Sequence, residues 1–373
     1  MLLKTKDFNE VCKTISAAVD KDAANLELRT RNSKLYLAVS NKEYYVCLSF
    51  DANVDEDFLA TVDANLFLNL VSGITSEDFE LKVEGNVVKV KTGGKSCYKI
   101  PIIYENDQIM TLSPITIANK TVEMPISIDI LKSILNVNSK EVQKVKTAVA
   151  ANELHKLYYL TNEGCFTFTS GACLNTFTLD QPVRVLLDDK LVKLFKLFKE
   201  DVQFSFGYDS VDSSIQSKVI FETPNTYLSA KIINDDVLLS KIQGPCTATK
   251  NYINENYSNK VVLSVNELSA AIARLMLFTK NSTSGTNMHS VVMAVNISND
   301  GFALTDADGN TEVVTIENGS YVDNYYDLMI NISDVKLVLD SCKDEHITFN
   351  CGNHKSVVIT RGAISHLIPE SIK

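Results

Sequence analysis

Two short stretches carry residue types that could do chemistry. GGKS at 93–96 has glycines and a lysine in the manner of a loop that cradles phosphate with backbone N–H groups and an ammonium. Lys89 stands where such a loop needs its upstream glycine, and the surrounding residues alternate as in a β-hairpin. DADGN at 306–310 has the carboxylates of a calcium loop, but its glycine is misplaced and no helical pattern flanks it, so a turn is expected. The five histidines (155, 289, 346, 354, 366) have no HxxxH or HExxH spacing, and the eight cysteines (12, 47, 97, 165, 173, 246, 342, 351) contain no CxxC pair. Neither a metal site nor a cofactor is expected, and the cysteines read as small buried hydrophobes in a reducing cytoplasm. No G-x-S-x-G elbow occurs, although a Ser, His and Asp assembled only by the fold stays open. The chain is therefore read as non-enzymatic. No apolar run approaches the roughly 18 residues of a spanning helix, and the first residues do not form a secretion signal.

What remains is the chemistry of lysine with phosphate. A net charge of −10 argues against nonspecific nucleic-acid binding unless positive charge has been concentrated somewhere. It has been, on six segments with helical periodicity: 5–20, 64–74, 129–140, 188–200, 266–280 and 333–343. They hold 12 Lys/Arg and 10 Asp/Glu, which leaves 24 and 36 of the chain's 36 and 46 for everything else. Six of those ten acids (Asp7, Asp129, Asp188, Asp189, Glu267, Asp334) fall in first turns, where they are expected to cap the helix. In DDKLVKLFKLFKE (188–200), Leu191, Leu194, Phe195 and Phe198 share one face at 100° per residue. Lys193 and Lys196 point away from it, with Lys190 and Lys199 at the flanks. Lys6 and Lys13 likewise oppose Phe8, Val11, Cys12 and Ile15, and Lys140 opposes Leu131. The second helix carries no charge, so the stripe is uneven.

The elements that position these lysines are repeated. LKTKDFNEVC from Leu3, ISIDILKSIL from Ile126 and LSVNELSAAI from Leu263 align without gaps, with apolar or strand-favouring residues at offsets 0, 2, 5, 8 and 9. Offsets 0 and 2 share a strand face, and 5, 8 and 9 share a helix face, so the motif is a short strand turning directly into an amphipathic helix. The same template fits from Val62 and from Ile330, and less cleanly from Leu186. Between the helices, alternating segments such as FELKVEGNVVKVKTGGKSCYKIPI read as antiparallel hairpins. Two β-α units make one domain, with boundaries near residues 121 and 259. The polar stretch KNYINENYSNK reads as the second linker.

Three segments carry a resemblance. VLSVNELSAAIARLMLFTKN (262–281), FTFTSGACLNTF (166–177) and HLIPESIK (366–373) resemble, in turn, the opening of the third domain, the second-domain strand-turn-strand and the C-terminal tail of the bacterial-type processivity clamp, the beta subunit of DNA polymerase III. The resemblance runs weakly over the whole chain. It implies an α+β fold of three tandem clamp-type domains (1–121, 122–259, 260–373), each a duplicated β-α-β-β-β unit, which form half of a six-domain ring. It implies a homodimer that encircles double-stranded DNA and tethers a DNA polymerase, opened by an ATP-dependent clamp loader, in a bacterial cytoplasm or, for a viral member, that of a host. Facing the duplex would be Lys6, Lys13, Lys132, Lys140, Lys190, Lys193, Lys196, Lys199 and Arg274. A partner-peptide pocket would use Leu154, Thr169, Gly171, Leu174, Leu238, Ile242, Leu367, Ile368 and Pro369. The joint between subunits would bring Leu277 and Phe278 against the edge near Ile74 and Tyr98. The chain departs from the family pattern where Ala172-Cys173 replaces His-Arg, where Glu370-Ser371 replaces Met-Arg, and where KDAANLEL replaces a Pro-Ile-Leu segment. Such divergence fits a viral or otherwise remote member and a pocket with its own peptide preference. The competing reading is a non-enzymatic, repeat-built interaction scaffold that does not bind DNA.

Overall fold

The structure is a computed structural model that describes residues 1–54, 56–93, 96–140, 142, 153–169, 171–209, 216–234, 236–282, 292–299, 301–352 and 354–371. All six expected strand-to-helix turns are present. Strand Leu2–Lys4 runs into α1 (Thr5–Ile15), Leu59–Asp63 into α2 (Ala64–Ser72) and Asn119–Ile126 into α3 (Ile128–Ser133). Arg184–Asp188 runs into α4 (Asp189–Lys193), Asn259–Ser264 into α6 (Val265–Ser282) and Tyr326–Asn331 into α7 (Ile332–Asp340). Most of the apolar offsets are buried, for instance Leu3, Phe8 and Cys12 in the first copy and Leu263, Leu268, Ala271 and Ile272 in the fifth, whereas Val11, Leu70, Ile128, Leu135 and Val265 are only half-buried. Three helix starts are capped by the last strand residue, among them that of α6, where the Ser264 hydroxyl accepts from the Glu267 N–H at 3.4 Å. Asp63 accepts from the Leu66 N–H at 2.7 Å and Asn331 from the Ser333 N–H at 3.0 Å. Two of the first-turn acids do other work: Asp189 accepts from the Tyr158 hydroxyl at 3.0 Å, and Glu267 accepts from the Thr315 N–H and hydroxyl, both at 3.1 Å.

Two expected helices end differently. The segment predicted over 188–200 leaves α geometry after Lys193 and finishes as a 3-10 turn, Leu194–Leu197, although Leu191, Leu194, Phe195 and Phe198 are buried as expected. The segment over 129–140 widens into a π-helical turn, Ile134–Asn138, that turns Asn138 inward. There its amide donates to the Thr167 hydroxyl at 3.2 Å and to the Cys165 carbonyl at 3.3 Å. A seventh helix, α5 (Asp236–Ile253), has no counterpart in the sequence reading. Its end takes up the first four residues of the expected linker, and its role is described below.

The chain folds into two compact units. The first comprises Met1–Lys132, Asp180–Pro182 and Lys190–Asn234. An eight-stranded antiparallel sheet runs through it in the order Asn119–Ile126, Val202–Asp209, Gln216–Glu222, Thr226–Ile232, Tyr44–Asp51, Lys34–Ser40, Asn25–Arg31, Leu59–Asp63. Leu228 lies opposite Val46 and Ala230 opposite Tyr44, so strands from the first and second thirds of the sequence share one ladder. A four-stranded sheet (Leu2–Lys4, Asp78–Glu84, Val87–Thr92, Cys97–Pro101) accompanies it. Phe8 of α1 packs edge-on against Phe50 and Phe67, with centroids 6.0 and 6.3 Å away, and Phe195 and Phe204 lie 4.9 and 5.0 Å from Phe221. The GGKS stretch falls between the last two strands of the four-stranded sheet, as a hairpin requires, with Gly94 and Lys95 outside the described residues.

The second unit comprises Ser133–Leu179, Val183–Asp189 and Asp235–Lys373. Its nine-stranded antiparallel sheet runs Arg184–Asp188, Leu157–Thr161, Gly164–Phe168, Ala172–Thr176, Ile364–Pro369, Ser356–Arg361, His346–Cys351, Asn259–Ser264, Tyr321–Val322. A four-stranded sheet (Thr311–Val314, Gly301–Thr305, Val292–Ser298, Tyr326–Asn331) completes it. The DADGN stretch is a turn in which the Asp306 carboxylate accepts from the N–H groups of Asp308 and Asn310 at 3.0 and 2.8 Å. Among the described residues no helix is long and apolar enough to cross a membrane. Nor does any group of three His, Cys, Asp or Glu among them lie close enough to hold a metal ion.

Candidate functional site

Strand alternation sorts the second unit's large sheet into two faces. Leu157, Tyr159, Phe166, Phe168, Ala172, Leu174 and Leu186 share one of them, and α5 lies on it with Ile242 and Cys246 buried against the strands. Leu154, Leu238 and Leu367 are half-buried at the margins of the same cluster. Five of the nine expected pocket residues (Leu154, Leu174, Leu238, Ile242 and Leu367) are thus brought together. The other four, Thr169, Gly171, Ile368 and Pro369, join Leu367 around an adjacent small pocket of about 10 Å³, room for one water-sized group. Ile368 is mostly core there, anchoring the tail more than offering surface.

Gly171 is required for this closeness. A Cβ at that position would lie 1.9 Å from the Leu367 carbonyl oxygen, so the turn at the end of strand Ala172–Thr176 can meet the tail only without a side chain. Gly171→Ala is expected to prise the two backbones apart at a cost of about 1–3 kcal/mol, the scale of overpacking. A melting temperature unchanged from wild type would show that the approach is not as tight as described.

The sequence reading missed four residues that line this small pocket, the apolar Ala172 and Val338 and two ionisable ones, Asp334, 9 % exposed, and His366, 2 % exposed. Asp334 was expected to serve only as a first-turn cap of α7, and His366 sat inside the tail motif next to the apolar pair. Beside the groove, partial burial lowers the His155 pKa from its ordinary value.

The basic residues fall into two groups. Lys6, Lys13, Lys132, Lys196 and Lys199 are exposed and pair with no carboxylate among the described residues, while Lys193 is half-buried. The remainder are engaged. Lys190 lies 3.3 Å from both Asp20 and Glu43; burial pulls its pKa down, but the two carboxylates outweigh this and raise it. Lys140 donates to the Asp340 carbonyl at 2.7 Å. Arg274 makes a two-pronged pair with Glu312, Nε to Oε1 and Nη2 to Oε2, both at 2.7 Å. That fork ties α6 to the edge strand Thr311–Val314, a structural use that its position on a helix face does not disclose.

Two of the sheet-edge strands bear on the expected joint. Cys97–Pro101 ends the first unit's four-stranded sheet, with Tyr98 exposed. Thr311–Val314 ends the second unit's, with Val313 exposed. On α6, Leu268, Ala271, Ile272 and Leu275 face the core, while Leu277 and Phe278 are 62 % and 52 % exposed. Ile74, expected at the joint, is only 7 % exposed and belongs to its own unit's core; it can support an edge from beneath but cannot present itself.

No family model matches the sequence, and no curated protein matches it. Solved structures do. The beta subunit of DNA polymerase from Streptococcus pyogenes aligns with a TM-score of 0.77 at 14 % identity, covering 100 % of this chain and 99 % of that one. The Helicobacter pylori beta clamp, solved with a DNA ligase peptide bound, aligns at 0.73 and 16 % identity with the same coverage. The Thermotoga maritima DNA polymerase III beta subunit aligns at 0.71 and 16 %, again over 100 % and 99 % of the two chains. The chain has the sliding-clamp fold. That fold accounts for the six strand-to-helix units and for the two long sheets that join strands from different thirds of the sequence. Its architecture survives here at an identity too low for sequence comparison because a clamp domain demands apolar character at fixed offsets, not particular side chains.

Proposed function

We propose that this chain is a DNA sliding clamp, a non-enzymatic processivity factor. Two copies close a ring around duplex DNA and hold the replicative polymerase and other partners through short peptides. The observation that carries the reading is the end-to-end match to clamp structures, 100 % of this chain against 99 % of theirs. Each copy supplies three domains (1–121, 122–259 and 260–373), so six domains make the ring. Lys6, Lys13, Lys132, Lys193, Lys196 and Lys199 face the phosphates, whereas Lys190, Lys140 and Arg274, already engaged, contribute less. A closed ring cannot leave internal duplex, so weak, salt-sensitive phosphate contacts suffice and permit sliding. The acidic remainder of the chain keeps DNA off the outer surface. Tethering raises the polymerase's effective concentration at the primer end. Opening the ring falls to an ATP-dependent loader in the cytoplasm.

The groove of Leu154, Thr169, Gly171, Leu174, Leu238, Ile242, Leu367, Ile368 and Pro369 takes the partner peptide, whose few apolar anchors gain affinity from a preformed site. The joint pairs the Cys97–Pro101 edge of one copy with the Thr311–Val314 edge of the other. That pairing would cover two strand edges that are otherwise open to aggregation, with Tyr98, Leu277 and Phe278 packing beside them.

Light scattering at low micromolar concentration tests the ring. Twice the 41.3 kDa chain mass is expected, together with longer retention on nicked circular than on linear DNA. A single-chain mass that persists at high concentration would remove the ring and leave the interaction scaffold.

A further inference from the structure

The C-terminal half of α5 roofs a second cavity, of about 170 Å³, that no part of the clamp reading uses. Its floor is aromatic, Tyr159 and Phe166, and Cys246 forms its apolar side. Its rim carries two cations. Lys250 is paired with Glu163 and stands 5.8 Å from the centre of the Phe166 ring. Arg184 is exposed and pairs with no carboxylate among the described residues. Arg184 lines the same cavity as the aromatic floor; burial, and then Cys246, push the Tyr159 phenol up while the Arg184 guanidinium pulls against them.

An aromatic floor with such a guanidinium at its mouth suits a ligand that offers apolar surface and negative charge within one residue. A planar fork binds a carboxylate through two parallel hydrogen bonds, and the guanidinium here has no carboxylate among the described residues to surrender first. A second carboxylate could also exchange with Glu163 for Lys250. Tyr159, Phe166 and Cys246 belong to the same apolar cluster as Leu174, Ile242 and Leu367, so this pocket and the groove adjoin along α5. We infer that the pocket between α5 and strands Leu157–Thr161, Gly164–Phe168 and Arg184–Asp188 binds the C-terminus of a peptide that ends in an aromatic or large aliphatic residue, with the terminal carboxylate on Arg184. The ligand class rests on the peptide-tethering reading; the binding assay does not.

The test uses a fluorescein-labelled hexapeptide, Gly-Ser-Gly-Ser-Leu-Phe, as free acid and as C-terminal amide, titrated against the full chain by anisotropy. The free acid is expected to bind about tenfold tighter, as for one charge-assisted contact. Arg184→Gln should bring the acid down to the affinity of the amide without changing the melting temperature. Leu238→Asp, on the groove side of α5, should leave the difference between acid and amide intact. Equal binding of acid and amide, no binding of either at millimolar peptide, or a difference that survives Arg184→Gln would overturn the inference. So would loss of the difference in Leu238→Asp, because the peptide would then occupy the groove itself. Failure of the ring or of groove binding, with the Arg184-dependent difference intact, would sink the clamp reading and leave this pocket standing.

Discussion

A Leu277→Asp/Phe278→Asp variant is expected to scatter light as a single 41.3 kDa chain and to leave circular DNA as quickly as linear DNA. Core residues of α6 recur from Leu268, and Leu277 lies nine positions on, about 180° around a helix of 100° per residue. An apolar side chain opposite the core is left exposed among the described residues, and Phe278 beside it enlarges the exposed patch. Burying two such side chains contributes about 3–6 kcal/mol per joint, or 10²- to 10⁴-fold in the dissociation constant. Aspartate removes that gain and adds a carboxylate that must be desolvated without a partner. Two-fold symmetry makes the loss occur at both joints, so the ring has no intact side. Because both residues are exposed in the single chain, the melting temperature should stay within about 2 °C of wild type, as for surface substitutions. A variant that remains dimeric would place the joint elsewhere.

The fold was legible wherever two periodicities meet. Offsets 0, 2, 5, 8 and 9 combine a strand face and a helix face, which is why Val62, Ala64, Phe67, Leu70 and Val71 could be assigned to the core from spacing alone; all but the half-buried Leu70 are buried. Helix α5 was illegible because Gly244-Pro245 in its middle is the strongest turn signal in its neighbourhood. Pro245 removes the N–H that would bond the Lys241 carbonyl, but both residues are exposed, where solvent can take the place of that N–H, and the helix runs on. Its inward stripe, Ile242, Cys246 and Thr249, has one polar and one weakly apolar member, too faint for a pattern search. The π-helical turn at Ile134–Asn138 was equally hidden, since it is the tertiary demand to bury Asn138 against Thr167 that widens it.

The site was legible in part, and for a different reason. Leu154, Leu174, Ile242 and Leu367 are far apart in sequence and share no spacing; only the resemblance could gather them, and the structure places them in one cluster. What neither spacing nor resemblance could supply is the partner of each charge. Arg274 and Lys190 look like free cations on a helix, yet Glu312 is 38 positions from the one and Glu43 147 from the other. Sequence reveals that a lysine opposes a core face; whether a carboxylate from a distant strand neutralises it is a tertiary fact. The same holds for Asp334 and His366, whose burial depends on how α7 and the last strand come together within their unit.

That distinction fixes which lysines should matter to DNA. Lys196→Glu/Lys199→Glu, at the end of the α4 segment, is expected to shorten retention on nicked circular DNA about 10- to 100-fold at 0.1 M salt. Each of these side chains is exposed and pairs with no carboxylate among the described residues, so reversal costs the fold nothing and lowers the local charge by four per chain. A phosphate contact contributes about 0.9 to the slope of log affinity against log salt, so losing two per copy should visibly flatten that slope. The dimer mass should be unchanged, because neither lysine lies on an edge strand. Lys190→Glu is the informative contrast. It removes a charge that Asp20 and Glu43 already hold, so it should weaken retention less while lowering the melting temperature more, through three carboxylates left together. If the salt slope of Lys196→Glu/Lys199→Glu matched wild type, the duplex would not run past this helix. Six strand-to-helix units could then still close a ring, but the concentration of lysine on them would have to be explained by something other than DNA.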